Sequence, residues 1–174
     1  MIKLPEAGGH EAARDEILCP VNCATATICA AYRAAGEIAE SRLLFLGSGM
    51  LGVLTASAIA RVEGAAEVVV VGRDVRRLKR AVEFGASSTI RIDDAASLAD
   101  QLEARSRVYF DRVLELTGSP TLTEFGSAAT DIGGSLVLIG AVMPTEAIRL
   151  NPERLIRRCL TIRGVHNYAL QDLQ

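Results

Sequence analysis

Gly47-Ser48-Gly49-Met50-Leu51-Gly52 is the stretch of this 174-residue chain whose spacing speaks most directly of chemistry. It fits G-x-G-x-x-G, follows a short apolar run and opens a stretch of helical length, the context that the pattern requires. In such a turn the first glycine permits a sharp reversal of the chain. The second lets a diphosphate approach the backbone without meeting a Cβ, and the third lets the helix pack closely on the strand. The helix start presents unpaired amides and a partial positive charge to the phosphates. Gly47, Ser48, Gly49, Met50, Leu51 and Gly52 are therefore candidate contacts for a nucleotide. A turn that merely tightens strand–helix packing would use the same glycines, and methyltransferases use similar turns. The flanking strand and helix carry the assignment.

The end of the next apolar run decides which nucleotide. An acidic residue there would accept hydrogen bonds from the adenosine ribose and signal NAD. The sequence reads Val71-Gly72-Arg73-Asp74 instead. Gly72 removes the carboxylate that would repel a 2′-phosphate, and also the acid that a methyltransferase cofactor's ribose would need. Arg73 offers a planar, permanently charged fork to bind such a phosphate. Arg76, Arg77, Lys79 and Arg80 follow. Cations in the first turn of a helix oppose its dipole, so Arg73 and Arg77 are read as functional, and Lys79 and Arg80 as a solvated face. Asp74 is either a plain N-cap or a displaced ribose acceptor. The balance favours NADP over NAD.

Metal chemistry has weaker support. The cysteines are Cys19, Cys23, Cys29 and Cys159. Zinc needs three or four ligands in a tetrahedron; there is no C-x-x-C pair, and neither His10 nor His166 lies near Cys23 in sequence. Cys19, Cys29 and Cys159 read as small buried apolar residues. His10 reads as a loop residue, and His166 as a candidate cleft residue. No Ser-His-Asp arrangement and no paired carboxylates are evident, and Glu115 reads as structural.

The elements that position these residues alternate. Lys plus Arg number 19 and Asp plus Glu 21, for a net charge of −2, which excludes bulk attraction to nucleic acid or an anionic membrane. Apolar residues make up 49% and aromatics 4%, so the core is built from Ala, Val, Leu and Ile. The uncharged run from Leu43 to Ala60 is split by its glycines into a strand and a helix, and is not a membrane span. The start of the chain has no apolar signal core, and reduced thiols fit a cytoplasmic protein. Cys19 to Tyr32 is expected as a buried helix starting near Asn22. Strands are expected at 42–46, 67–71, 88–92, 112–116, 136–139 and 160–163. Helices are expected at 50–62, 74–84, 97–107, 121–130 and 152–158, with stops at Gly85 and at Gly133-Gly134. Strand and helix alternate as in β-α-β units, and continuous apolar strands mean that both sheet faces are covered. The fold class is α/β, a doubly wound six-stranded parallel sheet.

From about Ile17 to Arg163 the chain resembles the coenzyme-binding half of a zinc-dependent medium-chain alcohol dehydrogenase. Pro20-Val21-Asn22-Cys23-Ala24-Thr25-Ala26-Thr27 resembles the segment that carries the third catalytic-zinc ligand. The resemblance makes Cys23 that ligand, and Thr27 a nicotinamide contact. Glu115-Leu116-Thr117-Gly118 resembles the end of the fourth strand, beside the nicotinamide ribose. Gly134 to Gly140 resembles the fifth, where backbone near Ile139 and Gly140 holds the carboxamide. Arg163 matches a position whose backbone does similar work. The resemblance also implies zinc acting as a Lewis acid on an alcohol, hydride passing to the nicotinamide, and a homodimer through the last strand.

The family's small N-terminal barrel, which supplies the other zinc ligands and most of the substrate pocket, has no counterpart here. Residues 1–18 are expected to be a linker or remnant of it, 19–165 the dinucleotide-binding domain, and 166–174 a truncated return segment. No complete catalytic set is present, so the chain alone is expected to bind the dinucleotide without turnover. The alcohol or carbonyl substrate belongs to the full enzyme. Two alternatives stand beside this one: a zinc-free quinone oxidoreductase or enoyl reductase domain, which Cys23 disfavours, and a non-catalytic dinucleotide-binding module.

Overall fold

A computed structural model of the chain describes residues 21–49, 56–93, 95–104 and 108–173. The expectations for Met50, Leu51, Gly52, Cys19, His10 and the segment 1–18 lie outside these residues.

Six strands form one sheet: β1 (Arg42–Leu46), β2 (Glu67–Gly72), β3 (Ser88–Arg91), β4 (Phe110–Glu115), β5 (Thr130–Leu138) and β6 (Thr161–Gly164). Their order is β3-β2-β1-β4-β5-β6, and every pairing is parallel. The helices are α1 (Ala26–Ala35), α2 (Ser57–Val62), α3 (Val75–Glu83), α4 (Ala95–Glu103), α5 (Pro120–Ala129) and α6 (Pro152–Arg157).

The apolar strands explain the layers. Every residue of β1 is buried, so both faces of the sheet are covered. Successive side chains of a strand point to opposite faces. Leu43 and Phe45 of β1 join Val68 and Val70 of β2 against Ile28 and Tyr32 of α1, Ala60 of α2 and Leu78 of α3. Leu44 and Leu46 join Val69 and Val71 against Leu98 and Leu102 of α4, with Leu122 and Phe125 of α5 packed around them. Helices thus cover both faces, as the doubly wound arrangement requires.

At the sheet's lower end Arg42 is tied down three ways. Its guanidinium pairs with Glu67 at 2.8 Å, donates to the Tyr109 carbonyl and lies 4.9 Å from the centre of the Phe110 ring. Because Arg42 and Glu67 are register partners, the pair sets β1 against β2.

Three local expectations differ from the structure. The first helix starts at Ala26, not near Asn22, and is preceded by one π-helical turn over Val21–Thr25. Gly133-Gly134 does not end α5. Both residues lie inside β5, where the pairing with β4 shifts from Phe110↔Thr130 to Arg112↔Ser135. Gly133 takes φ +71°, and a Cβ on Gly134 would fall 2.8 Å from the Asp131 carbonyl oxygen. The pair makes an irregularity within the strand rather than a helix stop. Cys159 is exposed with φ +50°, and Cys29 is half-buried, so neither is a fully buried apolar filler.

Candidate functional site

In this strand order β1 and β4 are neighbours, but the chain leaves them toward opposite sides of the sheet. Such a switch point opens a crevice at the carboxyl ends of the strands. A cleft of about 660 Å³ occupies it. Its lining comes from the segments after four strands: Gly47, Ser48 and Gly49; Gly72, Arg73 and Asp74; Asp93; and Thr117 with Ser119.

Gly47, Ser48 and Gly49 are the described part of the glycine turn. Gly47 takes φ +127°, a region open mainly to glycine, and its amide donates to the Val71 carbonyl at 2.9 Å. A Cβ there would stand 2.9 Å from Cγ2 of Thr117. Gly49 is different, because a Cβ on it would meet nothing within 4 Å among the described residues. Among the described residues nothing crowds that position, which leaves room for a ligand to approach the backbone. Among the described residues the amides of Ser48 and Gly49 have no acceptor, whereas the Gly47 amide is used by the fold.

The side of the cleft after β2 is basic. Arg73 and Arg77 are exposed and border it. Asp74 is the N-cap of α3: its Oδ1 accepts from the amides of Arg76 at 2.8 Å and Arg77 at 3.2 Å. The Arg77 amide, with the Arg76 amide and both guanidinium charges, holds the Asp74 carboxyl below its ordinary range. Of the two roles considered for Asp74, the cap is therefore present. It is made at the rim of the cleft, between the two arginines.

The opposite wall is stitched backbone to backbone. Glu115 at the end of β4 is 0% exposed. Its carboxylate accepts from the Thr117 amide at 2.7 Å, the Gly118 amide at 3.0 Å and the Thr117 hydroxyl. Its carbonyl oxygen accepts from the amides of Ile139 at 2.9 Å and Gly140 at 3.0 Å. A Cβ on Gly140 would lie 2.3 Å from the Gly118 nitrogen and 2.4 Å from the Thr117 nitrogen. The loops after β4 and β5 thus touch through glycine, and Glu115 holds both. The sequence offered Thr117, Gly118, Ile139 and Gly140 as site residues, of which Thr117 borders the cleft, and read Glu115 as structural. A carboxylate ending a buried parallel strand just before Thr-Gly was the available signal. Asp93, Ser119, Thr121 and Leu122 also border the cleft and were not foreseen. Ser119 followed by Pro120 is an N-cap and N1 pair, and its Oγ accepts from the Leu122 amide at 3.4 Å.

Other candidates lie apart from this cleft. Arg163 is on edge strand β6, facing a different hollow that His166 and Tyr168 share. Thr27 is buried in the first turn of α1. Cys23 is an exposed free thiol in the π-helical turn. Among the described residues no group of three or more His, Cys, Asp or Glu side chains could hold a metal ion. One thiol does not make a zinc site.

Residues 52–174 match the family model described as zinc-binding dehydrogenase. The chain is 32% identical over 131 residues to sorbitol dehydrogenase of Mus musculus, covering 74% of this chain and 36% of that protein. Among solved structures it superposes on an alcohol dehydrogenase from Thermotoga maritima with a TM-score of 0.81 at 25% identity, covering 91% of this chain and 44% of that one. It is also similar in fold to a zinc-binding dehydrogenase from Sinorhizobium meliloti bound to NADP, with a TM-score of 0.76 at 24% identity, over 87% of this chain and 45% of that one. The chain therefore spans under half the length of each of these relatives.

Proposed function

The chain belongs to the zinc-binding dehydrogenase family, and from that premise we propose that it seats NADP, in preference to NAD, for hydride transfer between an alcohol and a carbonyl compound in a larger enzyme. One observation carries this reading. At the switch point, a glycine turn whose Gly49 has no described neighbour within 4 Å of a Cβ position faces a strand end that bears Gly72 and Arg73 where an acid would mark NAD. The amides of Ser48 and Gly49 would hold the diphosphate, and Arg73 with Arg77 would neutralise a 2′-phosphate. The loops fixed by Glu115 would shape the nicotinamide end. The bound dinucleotide supplies the hydride chemistry; the protein's part is to hold and orient it. The NADP bound by the Sinorhizobium meliloti relative is consistent with this choice.

Thermal unfolding of the chain with NADPH or NADH tests it. At 100 times its dissociation constant NADPH should add about 2.7 kcal/mol, raising Tm by roughly 5–10 °C for a domain of this size. A larger shift with NADH, or none with either, would overturn the assignment.

Zinc, the substrate and turnover belong in this proposal to the longer protein. Of the three described thiols only Cys23 matches a zinc-ligand position by resemblance, and the described residues hold no metal cluster, so no step is routed through zinc within this chain. The chain alone is expected to bind the dinucleotide without oxidising simple alcohols, and measurable turnover by the isolated chain would refute this. A homodimer through β6 is supported by its position at the end of the sheet, paired on one side by β5; its test is argued in the Discussion. The described cysteines are free, which fits a reducing compartment such as the cytoplasm. Isolation of the chain from cells with Cys29 in a disulfide would count against it. No helix among the described residues is long and apolar enough to cross a membrane.

A further inference from the structure

We propose that Ser48, the second residue of the glycine turn, decides which side chains position 72 can carry, and so acts as a specificity-determining residue for the dinucleotide. The inference rests on the reading of this cleft as a dinucleotide site, and deepens it.

The geometry is direct. Gly72 is the last residue of β2 and is buried, and Ser48 opposite is buried too. A Cβ built on Gly72 would stand 2.1 Å from Ser48 Oγ and 2.5 Å from Ser48 Cβ. Rotating the serine hydroxyl away removes the first overlap. It leaves the second, because Cβ is fixed by the backbone of the turn. The next nearest atom is Cδ2 of Leu78 at 3.3 Å, the end of a flexible side chain that can give by a few tenths of an ångström. Among the described residues, Ser48 is thus the neighbour that forbids a side chain at 72.

The consequence is chemical. An acid at the end of β2 is what selects an unphosphorylated ribose and repels a 2′-phosphate. Here that acid is excluded by the packing of a residue in another loop, so the charge beside the ribose is left to Arg73 and Arg77. Changing position 72 alone cannot convert the site to NAD. Position 48 must shrink first. The two positions form one unit, and their substitutions are not additive.

Four proteins on the full 174-residue chain test this: wild type, Ser48→Gly, Gly72→Asp and the double variant. Ser48→Gly/Gly72→Ala and Gly72→Ala isolate the steric part without adding charge. The readouts are Tm without ligand and the dissociation constants for NADP+ and NAD+. Gly72→Ala and Gly72→Asp alone should each lower Tm by roughly 5 °C, as overpacking by a methyl or larger group does, and weaken both dinucleotides. With Ser48→Gly in place, most of that Tm loss should return. The Ser48→Gly/Gly72→Asp protein should then bind NAD+ about tenfold better relative to NADP+ than wild type does, the effect expected of a single hydrogen bond to the ribose. If Gly72→Asp alone keeps its Tm and switches preference, Ser48 has no say and the proposal falls. It falls equally if Ser48→Gly restores neither stability nor NAD+ binding. Wild type that binds neither dinucleotide would remove the functional reading and this inference together. That result differs from the other two, in which wild type binds and only the coupling fails.

Discussion

Glu115 places a carboxylate where the sheet is fully closed to water, and that carboxylate accepts from the loop after β4, whose Thr117 borders the cleft. Two backbone amides and a hydroxyl converge on it from Thr117 and Gly118. Bonds of this kind, with a charged acceptor, are shorter and stronger than neutral ones. Removing the acceptor takes the protein partner from two half-buried amides and a hydroxyl, at about 1 kcal/mol for each lost hydrogen bond. Glu115→Ala is therefore expected to lose about 3 kcal/mol in urea unfolding, summed over those groups. Glu115→Gln should lose less, because its single carbonyl oxygen still accepts one amide. Dinucleotide binding should weaken in the same order. Equal stability of all three proteins would show that the loop holds itself.

At the scale of elements, β1 and β2 could be read in advance because each is a continuous apolar run, the pattern that burial on both faces of a parallel sheet leaves. The turn at Gly47 could be read because its φ of +127° excludes other residues, and so writes itself into the sequence. The start of β5 could not. Thr130-Asp131-Ile132-Gly133-Gly134 has the composition of a loop, and becomes strand only through pairing with Phe110 and through the Gly133 amide on the Arg158 carbonyl at 2.8 Å. Long-range pairing overrode local preference there. The π-helical turn at Val21–Thr25 has no local signature either. Edge strand β6 tests the proposed dimer. Thr161 and Arg163 are exposed, and among the described strands only β5 pairs with β6. Central β1 amides should exchange hydrogen most slowly, since its neighbours β2 and β4 protect it. The β6 amides should exchange fast in dilute protein and slow as concentration rises, if a second copy completes the sheet. Exchange at β6 that ignores concentration would rule that assembly out.

The whole molecule is closed by a contact between distant parts of the chain. Arg33 of α1 grips Asp172 in the final turn (Leu170–Leu173) by two bonds, 3.0 and 2.8 Å, and the same carboxylate accepts the Ala169 amide at 2.7 Å. The Asp172 side chain is 4% exposed although its partner is 53% exposed, so the pin is covered from the carboxylate side. The Arg33 bond first, and then the Ala169 amide, hold the Asp172 carboxyl below its ordinary range. A carboxyl depressed in the folded state adds stability that is fully present above the unfolded value of about 3.9. That stability fades as pH falls through the lower folded value. Asp172→Asn should therefore be less stable than wild type near neutrality, and the gap should close on acidification below the ordinary carboxylate range. A second readout separates charge from packing. Burial, and after it the Asp172 charge, pushes the Cys29 thiol up. Removing that charge favours the thiolate, the form that reacts. At mildly alkaline pH, Asp172→Asn should thus be alkylated at Cys29 faster than wild type while remaining folded. A stability gap that persists unchanged into acid, with no gain in Cys29 reactivity, would mean that Asp172 holds the C-terminal turn by shape alone.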